Sequence, residues 1–216
     1  MNSGDFVKIS YVGRLESGEI FDLTREDVAK KEGIYNSKLT YKPVVIILGA
    51  GFVIKGLENA LLKMSAGEKK TVEVEFKDGF GERDPSLVNI FPKKHFKNPE
   101  PGMVVDMNGV KGRIQSVTAG RVRVDFNNPL AGKKLIYELE VIEVLKSSEE
   151  KINGLFEFFG LPPPEISIDR LNIILKKVDI PSPLKERISK IMFENIKLDD
   201  SKAIEKISFV YEYENK

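Results

Sequence analysis

The chain has 216 residues, 41% of them hydrophobic, enough for a real core and for one or two domains, with three small ones also open. Its 34 basic and 33 acidic residues leave a net charge of +1, so the molecule as a whole has no field to steer it to nucleic acid or to an anionic membrane surface. Without cysteine and with a single histidine, His95, it has no disulfide, thiol nucleophile, cysteine-based zinc site or histidine cluster; no apolar run is long enough to span a membrane and the opening MNSGDFVK lacks a signal-peptide core, so a soluble cytoplasmic protein is expected.

Residues 6–12, FVKISYV, alternate as a strand does, and ESGE at 16–19 turns the chain into IFD at 20–22, which predicts a hairpin. The polar stretch TREDVAKKEGIYNSKLTYK reads as a surface excursion. It returns to an apolar β-branched run, Val44 to Leu48, followed by a turn in which Gly49 and Gly51 bracket Ala50. Leu57, Ala60, Leu61 and Met64 then recur at i, i+3, i+4 and i+7, with Glu58 in the first turn, which predicts a short core helix. Val53 and Ile54 lie on the loop entering that helix, where the first backbone N–H groups have no intrahelical partner and can face an incoming acceptor. Taken alone, a plain helix start with a permissive Gly56 is the better explanation of this stretch, and other segments must decide. GEKKTVEVEF alternates again, with Val72, Val74 and Phe76 on one face, as a half-buried antiparallel strand.

From DGFGERDP the character changes, with Pro85, Pro92, Pro99 and Pro101 punctuating the chain and turn signals at Asn108–Gly109 and Ala119–Gly120 between short strands. Residues 89–124 read as a separate small β unit. It is locally basic, with Lys93, Lys94, Lys97, Lys111, Arg113, Arg121 and Arg123 against Glu100 and Asp106. KKLIYELEVIEVL at 133–145 is a long alternating strand that fits as the last strand of the first sheet. Beyond it, SSEEKINGLFEFFG opens as a capped helix does, ISIDRLNIILKKV reads as strands, SPLKERISKIMFENI as a helix and AIEKISFVYEYE as a closing strand. The periodicities predict an α+β assembly in three pieces, the middle one inserted in the first.

The order of these signals resembles the FKBP-type peptidyl-prolyl isomerases, in particular the SlyD-like long-chain archaeal members with an inserted flap domain. The stretches that carry the resemblance are VKISYVGRLESGEIFD at 7–22, LGAGFVIKGLENAL at 48–61, GEKKTVEVE at 67–75, GFGERDP at 79–85 and NPLAGKKLIYELEV at 128–141. It implies an isomerase domain of residues 1–88 and 125–148, an antiparallel sheet wrapped on a short helix, with a flap at 89–124. Residues 149–216 share only their position with the C-terminal α+β domains of long members.

The resemblance also implies a pocket lined by Tyr11, Phe21, Asp22, Val53, Ile54 and Tyr137, with the Ile54 N–H meeting the ligand carbonyl. Leu57 stands at the pocket floor, where many members have tryptophan. Phe80 replaces a tyrosine whose hydroxyl donates a hydrogen bond, so affinity for macrolide-type inhibitors is expected to suffer more than catalysis. By residue type alone Phe21 and Tyr137 are core residues and Asp22 a solvated turn residue; only their joint order assigns them to a pocket. The implied reaction is cis/trans isomerisation of X–Pro bonds, without cofactor or metal. In the resembling proteins the flap binds unfolded chains, which makes Met103, Met107, Val110 and Ile114 candidates for contact with proline-containing unfolded or nascent polypeptides; each is equally explained as core of the small unit. Rival functions are a holdase chaperone with little isomerase activity and a ribosome or nucleic-acid adapter using the basic insert, although such charges more often form a solvated face. Residues 149–216 are expected to pair two subunits through Ile207, Phe209, Tyr211 and Tyr213, the alternative being that they fold back on the isomerase domain of their own chain.

Overall fold

The computed structural model describes residues 1–198 and 202–210. It divides into two compact units, Met1–Glu73 together with the chain from Ile136 onward, and Val74–Leu135.

In the first unit strand β1 (Phe6–Leu15) runs antiparallel to β2 (Ile20–Leu23), completing the predicted hairpin, with Gly13 opposite Asp22. The excursion after β2 carries the short helix α1 (Glu26–Lys31) and leads to β3 (Val44–Ile47), which pairs antiparallel with the N-terminal half of β1, Phe6 opposite Ile47. Helix α2 (Lys55–Leu61) follows, with Leu57 and Leu61 buried, and then β4 (Lys69–Val74). Phe76, expected on that strand, instead opens a single helical turn, Phe76–Asp78.

The second unit is built on β5 (Val88–Pro92), β6 (Val104–Met107), β7 (Val110–Thr118) and β8 (Arg121–Asp125), in the order β5-β8-β7-β6. It is wider than the expected 89–124. The β6–β7 hairpin turns through Asn108 and Gly109, both with positive φ, as a two-residue hairpin loop demands, and Asp106 Oδ1 accepts the Gly109 N–H at 2.9 Å. Ile114, Val122 and Val124 form its core, with Phe91, Phe96, Val105 and Phe126 packed around them. Asp125 is buried at the end of β8, where it pairs with Arg83 and accepts from Gln115 Nε2 at 2.9 Å. A carboxylate withdrawn from water needs such partners to stay ionised.

Strand β9 (Leu135–Leu145) lies between β1 and β4, as the long alternating pattern required. Helix α3 (Ser148–Phe158) starts on a capping box: Ser147 Oγ accepts the Glu150 N–H at 3.1 Å and Glu150 Oε2 accepts the Ser147 N–H at 2.9 Å. The hairpin β10 (Glu165–Asp169) and β11 (Asn172–Lys176) is followed by α4 (Ser182–Asn195), a two-residue ladder of β12 (Lys197–Leu198) with β13 (Lys202–Ala203), and β14 (Lys206–Val210), parallel to β11.

These C-terminal elements share one core with the first sheet. Phe6, Val45, Ile47 and Leu145 cluster with Ile152, Leu155 and Phe156 of α3, Ile173 and Leu175 of β11, and Ile188 and Met192 of α4. Each fully buried side chain of this size contributes about 1.5–3 kcal/mol relative to exposure. Contact is close because Gly154 faces the sheet: a Cβ there would stand 2.8 Å from Leu145 Cδ1 and 3.0 Å from Val45 Cγ1. Val7, Ile9, Ile46 and Leu48 alternate to the opposite face and are buried as well, so the run Val44–Leu48 is apolar throughout because both faces of its strand are covered. Folding back on the same chain is thus the observed arrangement of residues 149–198 and 202–210. Ile207 and Phe209, expected to form a face open to a second subunit, pack half-buried against this core, while Tyr211 and Tyr213 lie outside the described residues.

Candidate active site

Three aromatic rings meet where β1, β2 and β9 lie side by side. The Tyr137 ring meets Tyr11 edge-on with centroids 5.9 Å apart and Phe21 at 5.6 Å with an interplanar angle of 87°. Edge-to-face pairs of this kind add about 0.5–1.5 kcal/mol beyond burial and hold the rings in one geometry. They can approach because residue 13 lacks a side chain: a Cβ on Gly13 would stand 2.8 Å from Phe21 Cζ and 3.0 Å from Tyr137 Cε1.

Asp22, exposed on β2, is the polar member of the cluster and accepts the Tyr11 hydroxyl at 2.8 Å. Burial, then the neighbouring Asp22 carboxylate, raises the Tyr11 phenol well above its ordinary range, and the same causes push Tyr137 up to about 12. Both phenols therefore stay protonated at neutral pH, as donors rather than charges. The backbone of Tyr11 is fixed by Thr24. Its N–H donates to Thr24 Oγ1 at 2.8 Å, its carbonyl accepts the Thr24 N–H at 2.9 Å, and Ser10 Oγ lies 2.9 Å from the same buried hydroxyl.

Tyr11, Phe21, Asp22 and Tyr137 are thus brought together. Val53 and Ile54 precede α2, with Ile54 as its extended N-cap, and Leu57 is buried in the first turn. Phe80 belongs to the second unit, past the Phe76–Asp78 turn. Among the expected client-contacting residues, Val110 is 54% exposed at the hairpin tip, Met103 is exposed and Met107 is half-buried. Ile114 is a correction. At 1% exposure it belongs to the core of the small sheet, because its position on β7 faces Val122 and Val124 rather than solvent. The opposite face carries Val104, 59% exposed and paired with Arg113, and Ile90, 61% exposed and paired with Arg123.

Sequence reasoning missed Gly13, Thr24, Val44 and Ile90. Val44 lines the same cleft as Tyr11 and Asp22, but its place in an apolar run marks it only as strand. The glycine inside the otherwise regular FVKISYVGRL was the available signal, since a strand glycine often marks a close approach. Thr24 carried none, because a threonine ending a strand is ordinary.

Among the described residues no group of three or more acidic or histidine side chains could hold a metal ion, and no helix is long and apolar enough to cross a membrane. Residues 1–142 match the family described as FKBP-type peptidyl-prolyl cis-trans isomerase. The chain is 36% identical over 154 residues, 69% of its length and 98% of the relative's, to the short-type peptidyl-prolyl cis-trans isomerase of Methanocaldococcus jannaschii. It is 33% identical over 153 residues, 68% of this chain and 71% of the relative, to the FKBP-type peptidyl-prolyl cis-trans isomerase SlyD of Yersinia pestis. A third relative, the FKBP-type 16 kDa peptidyl-prolyl cis-trans isomerase of Escherichia coli K12, is 31% identical over 132 residues, 57% of this chain and 87% of its own.

Proposed function

The chain belongs to the FKBP-type peptidyl-prolyl cis-trans isomerases, and on that premise we propose that it turns over X–Pro bonds against the cluster of Tyr11, Phe21, Asp22 and Tyr137 while the small sheet of the second unit holds the unfolded client. The observation that carries the first half is the aromatic cluster itself, closed over Gly13 and bearing protonated phenols beside one carboxylate.

The chemistry needs neither base nor nucleophile. Rotation about a peptide bond is opposed by a barrier of about 18–20 kcal/mol because resonance is lost in the twisted state, and the X–Pro exchange takes tens to hundreds of seconds unaided. The twisted amide is less polar than the planar one, so a pocket that replaces water with Phe21 and Tyr137 favours the twist. Val53 and Leu57 add aliphatic walls. The Ile54 N–H, at a helix start where backbone donors lack intrahelical partners, holds one substrate carbonyl through the rotation. A differential of about 4 kcal/mol suffices for roughly a thousandfold acceleration, at about 1.36 kcal/mol per tenfold.

For the client, Met103, Val104, Met107 and Val110 offer an adaptable apolar surface on the β6–β7 hairpin, with methionine suited to irregular partners. Arg113 and Arg123 stand directly across from Val104 and Ile90 on the open face. This mixture of aliphatic and basic groups favours polypeptide over a phosphate backbone, for which charge alone would serve.

A proline-limited refolding assay tests both halves. Wild type is expected to accelerate the slow phase. Phe21→Ala should lose acceleration yet still suppress aggregation, and the combined Met103→Ser, Val104→Ser and Val110→Ser variant should lose suppression. Suppression retained by the triple variant would show that the hairpin does not hold the client.

A further inference from the structure

A cleft of about 1100 Å³ in the first unit opens beside the aromatic cluster and belongs only partly to it. Tyr11, Asp22 and Val44 line one end. The opposite wall is C-terminal: Asn153 and Phe158 of α3 and the turn continuing through Leu161, Pro162 and Pro163. Its volume is just above the range of about 300–1,000 Å³ that holds a whole small ligand, so a prolyl ring and its neighbouring residue leave most of it free.

Its lysines are paired with carboxylates, and the remaining carboxylates of Glu150 and Asp22 are engaged by the Ser147 N–H and the Tyr11 hydroxyl. Lys42 Nζ is 3.0 Å from Glu157 Oε1, and Lys8 Nζ is 3.7 Å from the other oxygen of the same carboxylate and 3.9 Å from Glu143. What remains is apolar surface, with Phe158 39% exposed beside Leu161 and Pro162, and the exposed polar side chains of Thr40 and Asn153. Such a lining suits an uncharged stretch of extended polypeptide. Phe158 gives a second link to the catalytic machinery, since its ring lies 4.5 Å from that of Phe52, the residue before Val53 and Ile54.

From this continuity we infer that the cleft between the β2–β3 edge and α3 is a subsite for the client chain flanking the target proline, so that the C-terminal module is part of the substrate-binding surface. The occupant is the client's own extended backbone with small, uncharged side chains, which at about 3.3–3.6 Å per residue runs several residues past the proline. This rests on the isomerase reading above, and it assigns residues 153–163 a role that the family domain alone does not contain.

The test compares turnover of two peptides sharing one central Leu-Pro bond, one of about four residues and one of about twelve residues with uncharged flanks. In the wild-type chain the longer peptide should have a KM roughly tenfold lower. Asn153→Trp, and independently Thr40→Trp from the facing side, should bring the ratio of the two kcat/KM values to near unity. Because the chain has no cysteine, Asn153→Cys supplies a single thiol, and an environment-sensitive dye on it should respond to the longer peptide at concentrations near its KM and not to the shorter one. A length advantage that survives both tryptophans, or is absent from the wild type, or leaves the dye silent, overturns the inference. A wild-type chain that turns over neither peptide removes the isomerase reading itself, a separable outcome.

Discussion

At the scale of single residues, the site depends on an absence. Gly13 is the one position on β1 where a side chain would collide with both Phe21 and Tyr137. Gly13→Ala should displace the rings and lower peptide turnover roughly ten- to a hundredfold, because a misplacement of about 1 Å is costly at this level, while circular dichroism stays unchanged; full activity would show that the rings need no fixed geometry. The phenols set the pH behaviour. Burial, then the Asp22 carboxylate, pushes the Tyr137 phenol up to about 12 and also raises Tyr11, against about 10 when unfolded. Their stabilising contribution is therefore complete below about pH 10 and is lost as the pH rises through the folded value. Turnover should be flat from about pH 6 to 9, and the midpoint of thermal unfolding should begin to fall only above about pH 10. A rate rising or falling near neutrality would implicate a titrating group this site does not contain. Tyr11, Phe21, Asp22 and Tyr137 were legible in the sequence through their order within a family pattern, whereas Gly13 and Thr24 act on neighbours brought close by pairing and could be read only after folding.

At the scale of elements, the sheet is covered on both faces, and the cover on one of them is α3. The run Val44–Leu48 carried that information, since a strand with one face in water alternates and this one does not. It could not say which segment supplies the cover. The alternation of Ile207 and Phe209 near the chain end fits an apolar partner of its own chain or of another's, and pairing of two subunits is the expectation it supports equally. Gly154 is the discriminating residue, shaped to Leu145 and Val45 of the same chain. Gly154→Val should overpack this contact and lower stability by about 1–3 kcal/mol. Phe156→Ala should cost about 3–5 kcal/mol. Denaturant titration reads both, and two neutral results would detach α3 from the sheet. The small β unit shows the same limit of pattern reading: Met103, Val110 and Ile114 look alike in sequence, and only the register of β7 against β8 sends Ile114 inward.

At the scale of the whole molecule, the chain joins a family domain to a C-terminal module through one continuous core, and carries a second unit whose hairpin exposes apolar and basic groups together. Ending the chain after residue 148 would bare Phe6, Val45, Ile47 and Leu145 to water; such a protein should melt well below the full chain and aggregate on heating, and equal melting would mean the module is an independent appendage. Catalysis at the aromatic cluster is tested most directly by exchange of a short Leu-Pro peptide, followed by NMR, with the wild-type chain and with Phe21→Ala at matched concentrations and confirmed folding. Catalysed exchange is expected in the wild type, with a loss of roughly tenfold or more in the variant, about 1.4 kcal/mol of transition-state stabilisation. Equal exchange by the two proteins would contradict catalysis at this cluster.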